Sequence, residues 1–289
     1  MFRALIQSMR LRQWIKNVFV LAAVVFDRQL LNPTAVGKSL GGFFIFCLLS
    51  SSVYLINDVL DAEYDRQHPV KRNRPIASGE LPVSVALTAA AILLLISFPS
   101  AFWLSSGFGW VTTIYFFLNL IYSKWLKHVA LLDVMIIAAG FVLRVAGGVT
   151  LVVVERFSPW LYVVTTLLAL YLGFGKRRSE LALLATNANQ HRRVLNGYSL
   201  QLLDQLIMVV SSTTIISYSL YTFSAPNLPD NHSMMLTIPF VLYGIFRYLY
   251  LIQIKEAGGA PEELLLSDRP LQITILLWAI AVLLIFYIG

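Results

Sequence analysis

Charge is what this chain has least of. Asp, Glu, Lys and Arg make up 13% of its 289 residues, against 58% hydrophobic residues, and the mean hydropathy is +0.73. A soluble domain of this size has no use for so much apolar surface, so soluble enzymes and soluble binding modules are excluded. Cysteine is nearly absent: Cys47 is the single one, inside an apolar run, and no disulfide framework can form. Histidine is scarce too. His128, His191 and His232 have no partner at metal-ligand spacing, and His68 reads as a turn residue. Internal repeats and low-complexity tracts are missing. The first residues are charged and lack a small-residue cleavage site, so no cleaved leader is expected.

What fills the chain instead is a series of apolar runs, many of the ~17–25 residues that cross a bilayer as a helix. About nine can be counted: 14–31, 40–56, 83–104, 109–122, 131–154, 159–174, 202–223, 234–254 and 271–288. The first is the weakest, because Asp27 and Arg28 sit near its end, and the fourth is short. The expected fold is therefore an all-α, multi-pass membrane protein. All the loops are short, so residues 1–289 are expected to form one integral membrane catalytic domain. Apolar side chains at positions 2, 5, 6 and 9 suit a short helix lying on the membrane.

The few charges are sided. With nine spans and an internal N-terminus, the outer segments carry only Arg28, Lys38 and Arg156 among the Lys and Arg of the connections. That is the positive-inside pattern of a cell membrane protein. The formal net charge of +7 then describes a cytoplasmic face and not a nucleic-acid binder.

The acids gather at one place. Asn57, Asp61 and Asp65 fall at i, i+4 and i+8, so a helix puts them on one face, with Asp58 at its edge. Carboxylates so close repel unless a cation lies between them. Oxygen ligands at this spacing suit Mg²⁺, which binds through one or two carboxylates plus substrate phosphates. Lys71, Arg72 and Arg74 follow at once, and guanidinium and ammonium groups are phosphate donors. The stretch reads as a metal–diphosphate site at a membrane surface, the plainer alternative being a solvated helix end with a charged turn. Tyr64, inside the motif, is a further candidate for substrate contact.

Three other inner segments carry polar groups, each with a plain reading beside the functional one. Residues 10–17 hold Arg10, Arg12, Gln13, Trp14, Lys16 and Asn17; a cationic, Trp-anchored membrane entry accounts for them equally. Tyr122, Ser123, Lys124 and Lys127 precede Asp133 and Arg144. The last two are eleven residues apart, about three helical turns, on a similar face. Charges within a span are functional by default, though ion pairs with another helix would also explain them. In 173–181 two glycines permit close backbone approach beside Lys176, Arg177 and Arg178, with Glu180 available as a partner. A positive-inside helix end is the alternative there.

The cluster Asn57-Asp58-x-x-Asp61-x-x-x-Asp65 at the end of an early span resembles that of the UbiA superfamily of intramembrane prenyltransferases. The resemblance covers essentially the whole chain. Within the superfamily, three stretches look closest to the decaprenyl-phosphate phosphoribosyltransferase branch: Arg12-Gln13-Trp14-Ile15-Lys16-Asn17, Lys71-x-x-Arg74-Pro75-Ile76-Ala77-Ser78-Gly79, and Gly175-Lys176-Arg177-x-x-Glu180-Leu181. The stretch from Tyr122 through Asp133 and Arg144 also fits. Superfamily members that prenylate aromatic rings carry a second acidic motif near the sixth span; here that place is basic.

The resemblance implies a UbiA-type helical bundle and a reaction. A polyprenyl phosphate would attack C1 of phosphoribosyl diphosphate and release diphosphate, with Mg²⁺ held by Asn57, Asp58, Asp61 and Asp65. Lys71, Arg74, Lys127, Lys176 and Arg177 would hold phosphates, and Gln13, Lys16 and Asn17 are candidates near the acceptor. Tyr122, Ser123, Asp133, Arg144 and Glu180 complete the candidate substrate-binding set. Arg178 is expected to face lipid headgroups or water. A basic surface suits a substrate with more phosphates than the metal neutralises. The other readings are an aromatic or quinone-precursor prenyltransferase and a cation-coupled transporter using Asp133 and Arg144. No nucleic acid is expected as a partner; membrane lipid is, and the sequence is compatible with a homo-oligomer.

Overall fold

A computed structural model describes residues 1–67, 71–153, 158–186, 193–226, 228–255 and 261–288. His68, Arg156, His191, Arg192 and Gly289 lie outside the described residues. Among those described, the regular structure is entirely helical. In chain order the helices are α1 (Phe2–Ser8), a 3₁₀ segment (Leu11–Leu21), α2 (Ala22–Phe26), α3 (Pro33–Leu60), α4 (Ala62–Gln67), α5 (Val83–Leu104), α6 (Ser106–Lys124) and α7 (Leu132–Val149). They continue as α8 (Pro159–Thr186), α9 (Leu200–Ser224), α10 (Ile238–Gln253), α11 (Pro261–Ser267) and α12 (Arg269–Tyr287).

Among the described residues, six stretches are long and apolar enough to cross a membrane: Pro33–Leu60, Val83–Leu104, Leu132–Val149, Leu200–Ser224, Ser233–Gln253 (a 3₁₀ turn, Ser233–Thr237, running into α10) and Arg269–Tyr287. The protein is a multi-pass membrane protein, but these six fall short of the nine expected. The expected span at 109–122 became α6, with Asn119 and Lys124 in its length, and that at 159–174 became α8. Helix α8 runs through Lys176, Arg177, Arg178 and Glu180 to Thr186, which lowers its hydropathy.

The chain forms two compact units. The first comprises residues 1–24, 29–129 and 143–153. Here α3 packs against α5 and α6 around Phe46, Leu49, Phe108, Tyr115 and Leu151. A second cluster, with Ala4, Leu55, Ile76 and Leu81, buries α1 and the turn after α4.

The run expected as the first span, 14–31, is not one α-helix. Its first part is a 3₁₀ helix, in which residues three apart lie one above another. Trp14, Asn17 and Val20 stack this way. The Trp14 indole N–H donates to the Ser51 hydroxyl (3.0 Å), the Asn17 amide donates to Ser50 (3.2 Å) and to Cys47 (3.3 Å), and Val20 is fully buried in the Phe46 cluster. Runs of 3₁₀ helix beyond 3–4 residues are uncommon; this one is held by a partner on α3 at each turn. Trp14 thus bolts the segment to α3 and is not a lone membrane anchor. Gly148 on α7 lets the segment come close: a methyl there would meet the Val20 carbonyl oxygen at 2.1 Å.

The second unit comprises residues 25–28, 130–142 and 154–289. Helices α8, α9 and α10 pack around a core that includes Val134, Tyr171, Phe174, Leu203, Ile207 and Tyr248, and α12 packs on α10 and adds Val282 and Phe286 to a second cluster with Tyr218 and Met234. Gly173 and Gly175 are inside α8, where close approach serves protein packing. Methyls there would meet Val134 Cγ1 at 2.6 Å and the Tyr248 hydroxyl at 2.8 Å.

Candidate active site

The first unit carries the acidic cluster. Helical hydrogen bonding continues through the junction of α3 and α4: the Asp61 N–H donates to the Asn57 carbonyl (2.9 Å) and the Asp65 N–H to the Asp61 carbonyl (2.8 Å). The face expected from the i, i+4, i+8 spacing is therefore kept. Asp58 and Asp65 are each 3% exposed, which in an apolar environment demands cationic partners.

They have them. Arg74 donates to Asp65 (2.7 Å) and to Asp58 (3.2 Å), and Arg10 donates to the same Asp58 oxygen (2.5 Å). Lys127 donates to one oxygen of Asp61 (2.6 Å) and the Asn57 amide to the other (3.3 Å). Arg74 is carried by a compact turn after α4, closed by the bond from the Leu81 N–H to the Pro75 carbonyl (2.8 Å) and by Gly79 at φ +83°. At that angle a residue with a Cβ is disfavoured. One network thus joins Asn57, Asp58, Asp61, Asp65, Arg74 and Lys127 with Arg10, which was not among the expected site residues. Only its place in a basic N-terminal segment hinted at it.

The donor set fits a hard divalent cation: one amide and three carboxylates, all oxygen ligands, on consecutive helical turns. Among the described residues, no three His, Cys, Asp or Glu side chains form a group that could hold a metal unaided. The carboxylates turn to Arg10, Arg74 and Lys127 and not to a common centre. A cation here would take one or two protein oxygens and complete its shell elsewhere, as Mg²⁺ commonly does.

Other expected residues of this unit sit as follows. Gln13 and Lys16 are half-buried on the 3₁₀ segment, and Lys71 is half-buried in the turn after α4. Tyr64 is 75% exposed; Tyr122 is half-buried and Ser123 buried at the end of α6. Asn17 is fully buried and its carbonyl oxygen accepts from the Arg144 guanidinium (2.7 Å), which also donates to Tyr115 (2.8 Å). Asn17 and Arg144 therefore tie the 3₁₀ segment to α7. Nothing in the sequence pointed to Tyr115.

In the second unit Asp133, fully buried, accepts from Arg177 (2.6 Å) and from the Tyr198 hydroxyl (2.6 Å). Arg177 also donates to Glu180 (2.5 Å). Tyr198 in turn accepts the N–H of Leu131 (2.6 Å), a left-handed residue at φ +68°. Burial, and then the bond to Asp133, push the Tyr198 hydroxyl above its ordinary range. Asp133 and Arg144, expected on one face, belong to two separate networks. Arg178, expected to face headgroups or water, donates to Asp204 (2.6 Å) and to the Ile252 carbonyl (3.1 Å). Lys176 is half-buried on the same helix.

The profile of the UbiA prenyltransferase family matches residues 18–265. The chain belongs to that family. Two curated relatives agree. The decaprenyl-phosphate phosphoribosyltransferase of Mycolicibacterium smegmatis is 35% identical, over 95% of this chain and 89% of its own. The protein of the same name from Corynebacterium glutamicum is 32% identical, over 98% and 87%. Among solved structures, a UbiA homologue from Archaeoglobus fulgidus bound to GPP and Mg²⁺ superposes with a TM-score of 0.74 at 17% identity, covering 98% of this chain and 99% of that one. At that identity the likeness speaks for the fold, and it places the helices of this UbiA-family chain in the family's arrangement.

Proposed function

We propose that this chain transfers 5-phosphoribose from phosphoribosyl diphosphate to a polyprenyl phosphate of decaprenyl type. The reaction is Mg²⁺-dependent and takes place at the cytoplasmic face of the cell membrane. The observation that carries the reading is the similarity, over nearly the full length, to the decaprenyl-phosphate phosphoribosyltransferases. The cations gathered at the acidic cluster, Arg74 and Lys127, agree with it, since a donor with a diphosphate and a 5-phosphate brings more negative charge than one metal neutralises.

A phosphate oxygen of the lipid forms a bond to C1 of the ribose while the C1–O bond to diphosphate breaks. The acceptor is already ionised, so no strong general base is required. When bound, Mg²⁺ supplies charge neutralisation for the leaving diphosphate. Asn57, Asp58, Asp61 and Asp65 are the residues that would hold it. Arg74 and Lys127, already directed at these carboxylates, are next to where the phosphates would lie and donate to them. Lys71 and Lys176 are further phosphate donors, with Gln13 and Lys16 nearer the acceptor. The whole chain acts as one catalytic domain.

The test is purified protein with labelled phosphoribosyl diphosphate and a polyprenyl phosphate. Label should move into the lipid-soluble fraction, stop with EDTA and resume with Mg²⁺. Asp61→Asn and Asp65→Asn should each abolish the transfer while the protein stays folded in detergent. Transfer of a prenyl group to an aromatic acid instead, with no ribosylated lipid, would reject this reading in favour of the aromatic prenyltransferases.

A further inference from the structure

We propose that Arg10 is a phosphate ligand kept in waiting on Asp58, and that divalent cation and diphosphate enter this site by exchanging ion-pair partners. The inference rests on the metal–diphosphate reading above. Three cations, Arg10, Arg74 and Lys127, face three carboxylates, Asp58, Asp61 and Asp65. The cluster is balanced as it stands. A cation arriving alone must displace a guanidinium from its carboxylate. A diphosphate arriving alone must pull Arg10 away and leave the buried Asp58 with only the longer bond to Arg74. Arriving together, each takes the partners that the other releases. Such coupling is reciprocal by necessity.

Arg10 is the member best placed to exchange. It shares one oxygen of Asp58 with Arg74, at 2.5 and 3.2 Å, whereas Arg74 also holds Asp65. Its side chain is 28% exposed, with the guanidinium 4.9 Å from the Tyr54 ring centre. Its backbone, in contrast, is fixed. Arg10 is left-handed (φ 54°, ψ 54°) at the junction of α1 and the 3₁₀ segment. Its own N–H donates to the Gln7 carbonyl (3.1 Å) and its carbonyl accepts from the Gln13 N–H (2.8 Å), and beyond it the Trp14 indole donates to Ser51 of α3. A fixed root and a long, partly exposed guanidinium are what a side chain needs to turn from a carboxylate to a phosphate, which it can grip with two parallel hydrogen bonds.

The experiment measures two affinities separately on the full chain in detergent: Mn²⁺ alone, by electron paramagnetic resonance, and inorganic diphosphate alone, in EDTA, by calorimetry. Arg10→Gln should bind Mn²⁺ several-fold more tightly and diphosphate ~10-fold more weakly. Asp58→Asn should show the mirror image, weaker Mn²⁺ and tighter diphosphate. Arg10→Gly, which removes the same guanidinium but suits the left-handed backbone, should behave as Arg10→Gln does. Loss of fold would weaken both ligands together. The exchange is overturned if Arg10→Gln, melting at the wild-type temperature, shifts both affinities the same way or shifts neither, or if diphosphate leaves the wild-type affinity for Mn²⁺ unchanged. Mirrored shifts in the two variants, beside a wild type that makes no ribosylated lipid, would reject the proposed reaction and leave the exchange standing.

Discussion

At the residue scale, neighbouring cations on α8 have different tasks. Arg177 is 1% exposed and shared between Asp133 and Glu180, while Arg178 reaches a partly exposed Asp204. Arg177→Ala should destabilise the protein by ~3–5 kcal/mol, because it strands the Asp133 carboxylate in the core. Arg178→Ala should cost about 1 kcal/mol or less. Lys176→Ala should weaken substrate binding by ~10- to 100-fold. Thermal unfolding in detergent, run beside donor binding, separates the three; equal melting temperatures for Arg177→Ala and wild type would contradict the buried pairing. The sequence marked Asp133 as a charge inside a span and Glu180 as a partner within reach of Arg177 along one helix. It could not pair Asp133 with Arg177, because they are 44 positions apart and no periodicity links them. Tyr198 and Arg10 were hidden for the same reason: ordinary residues in ordinary connections, brought to charges by the fold alone.

At the element scale, apolar length was a good guide where a run forms one α-helix and poor where it does not. Val83–Leu104 matches its apolar run to the residue, since a uniformly apolar stretch leaves the backbone no partner but itself. The 14–31 run misled because Trp14, Asn17 and Val20, three apart, all find partners on α3, and the chain tightens to keep them there. Gly148→Ala tests that contact: pushing the segment away from α7 should loosen Asn17 and Arg144, lower the melting temperature and expose the buried Cys47 to a thiol reagent. Helix α12 offers a pH test. Asp268 caps its N-terminus by accepting from the Leu271 N–H (2.9 Å) and takes two bonds from Arg247 (2.8 and 3.2 Å). The Arg247 bonds hold its carboxyl below the usual carboxylate range. A carboxyl lowered on folding stabilises above its unfolded pKa and loses that contribution as pH falls through the folded value. The melting-temperature gap between wild type and Asp268→Asn should thus be present at neutral pH and close on strong acidification. A gap that widens in acid would contradict the assignment.

At the scale of the whole molecule, the uneven distribution of Lys and Arg predicts an orientation. Ser78 should be shielded from an impermeant thiol reagent added outside the cell and Asn231 open to it, each tested as a single cysteine in a Cys47→Ser background. Both positions are exposed on the protein. The reverse pattern would invert the topology and move the acidic cluster to the other face. Family and helical class were legible because both are written in long patterns: apolar length, and a motif of one amide and three carboxylates with its basic sequel. The separation of Asp133 and Arg144 into two networks was not, because helical spacing gives a direction and not a partner.

The three-residue stacking of Trp14, Asn17 and Val20 makes the N-terminal stretch act like a rack meshed with α3. Near a chain end, small insertions and deletions are ordinarily harmless. Here the loss or gain of one residue between Trp14 and Val20 turns all that follows by ~120°, a full tooth out of mesh. Asn17 would then leave Arg144, and the spacing from Arg10 to that lock would change as well. Substitutions along 11–21 should be graded in their effects, whereas a change of length by one should be all or none.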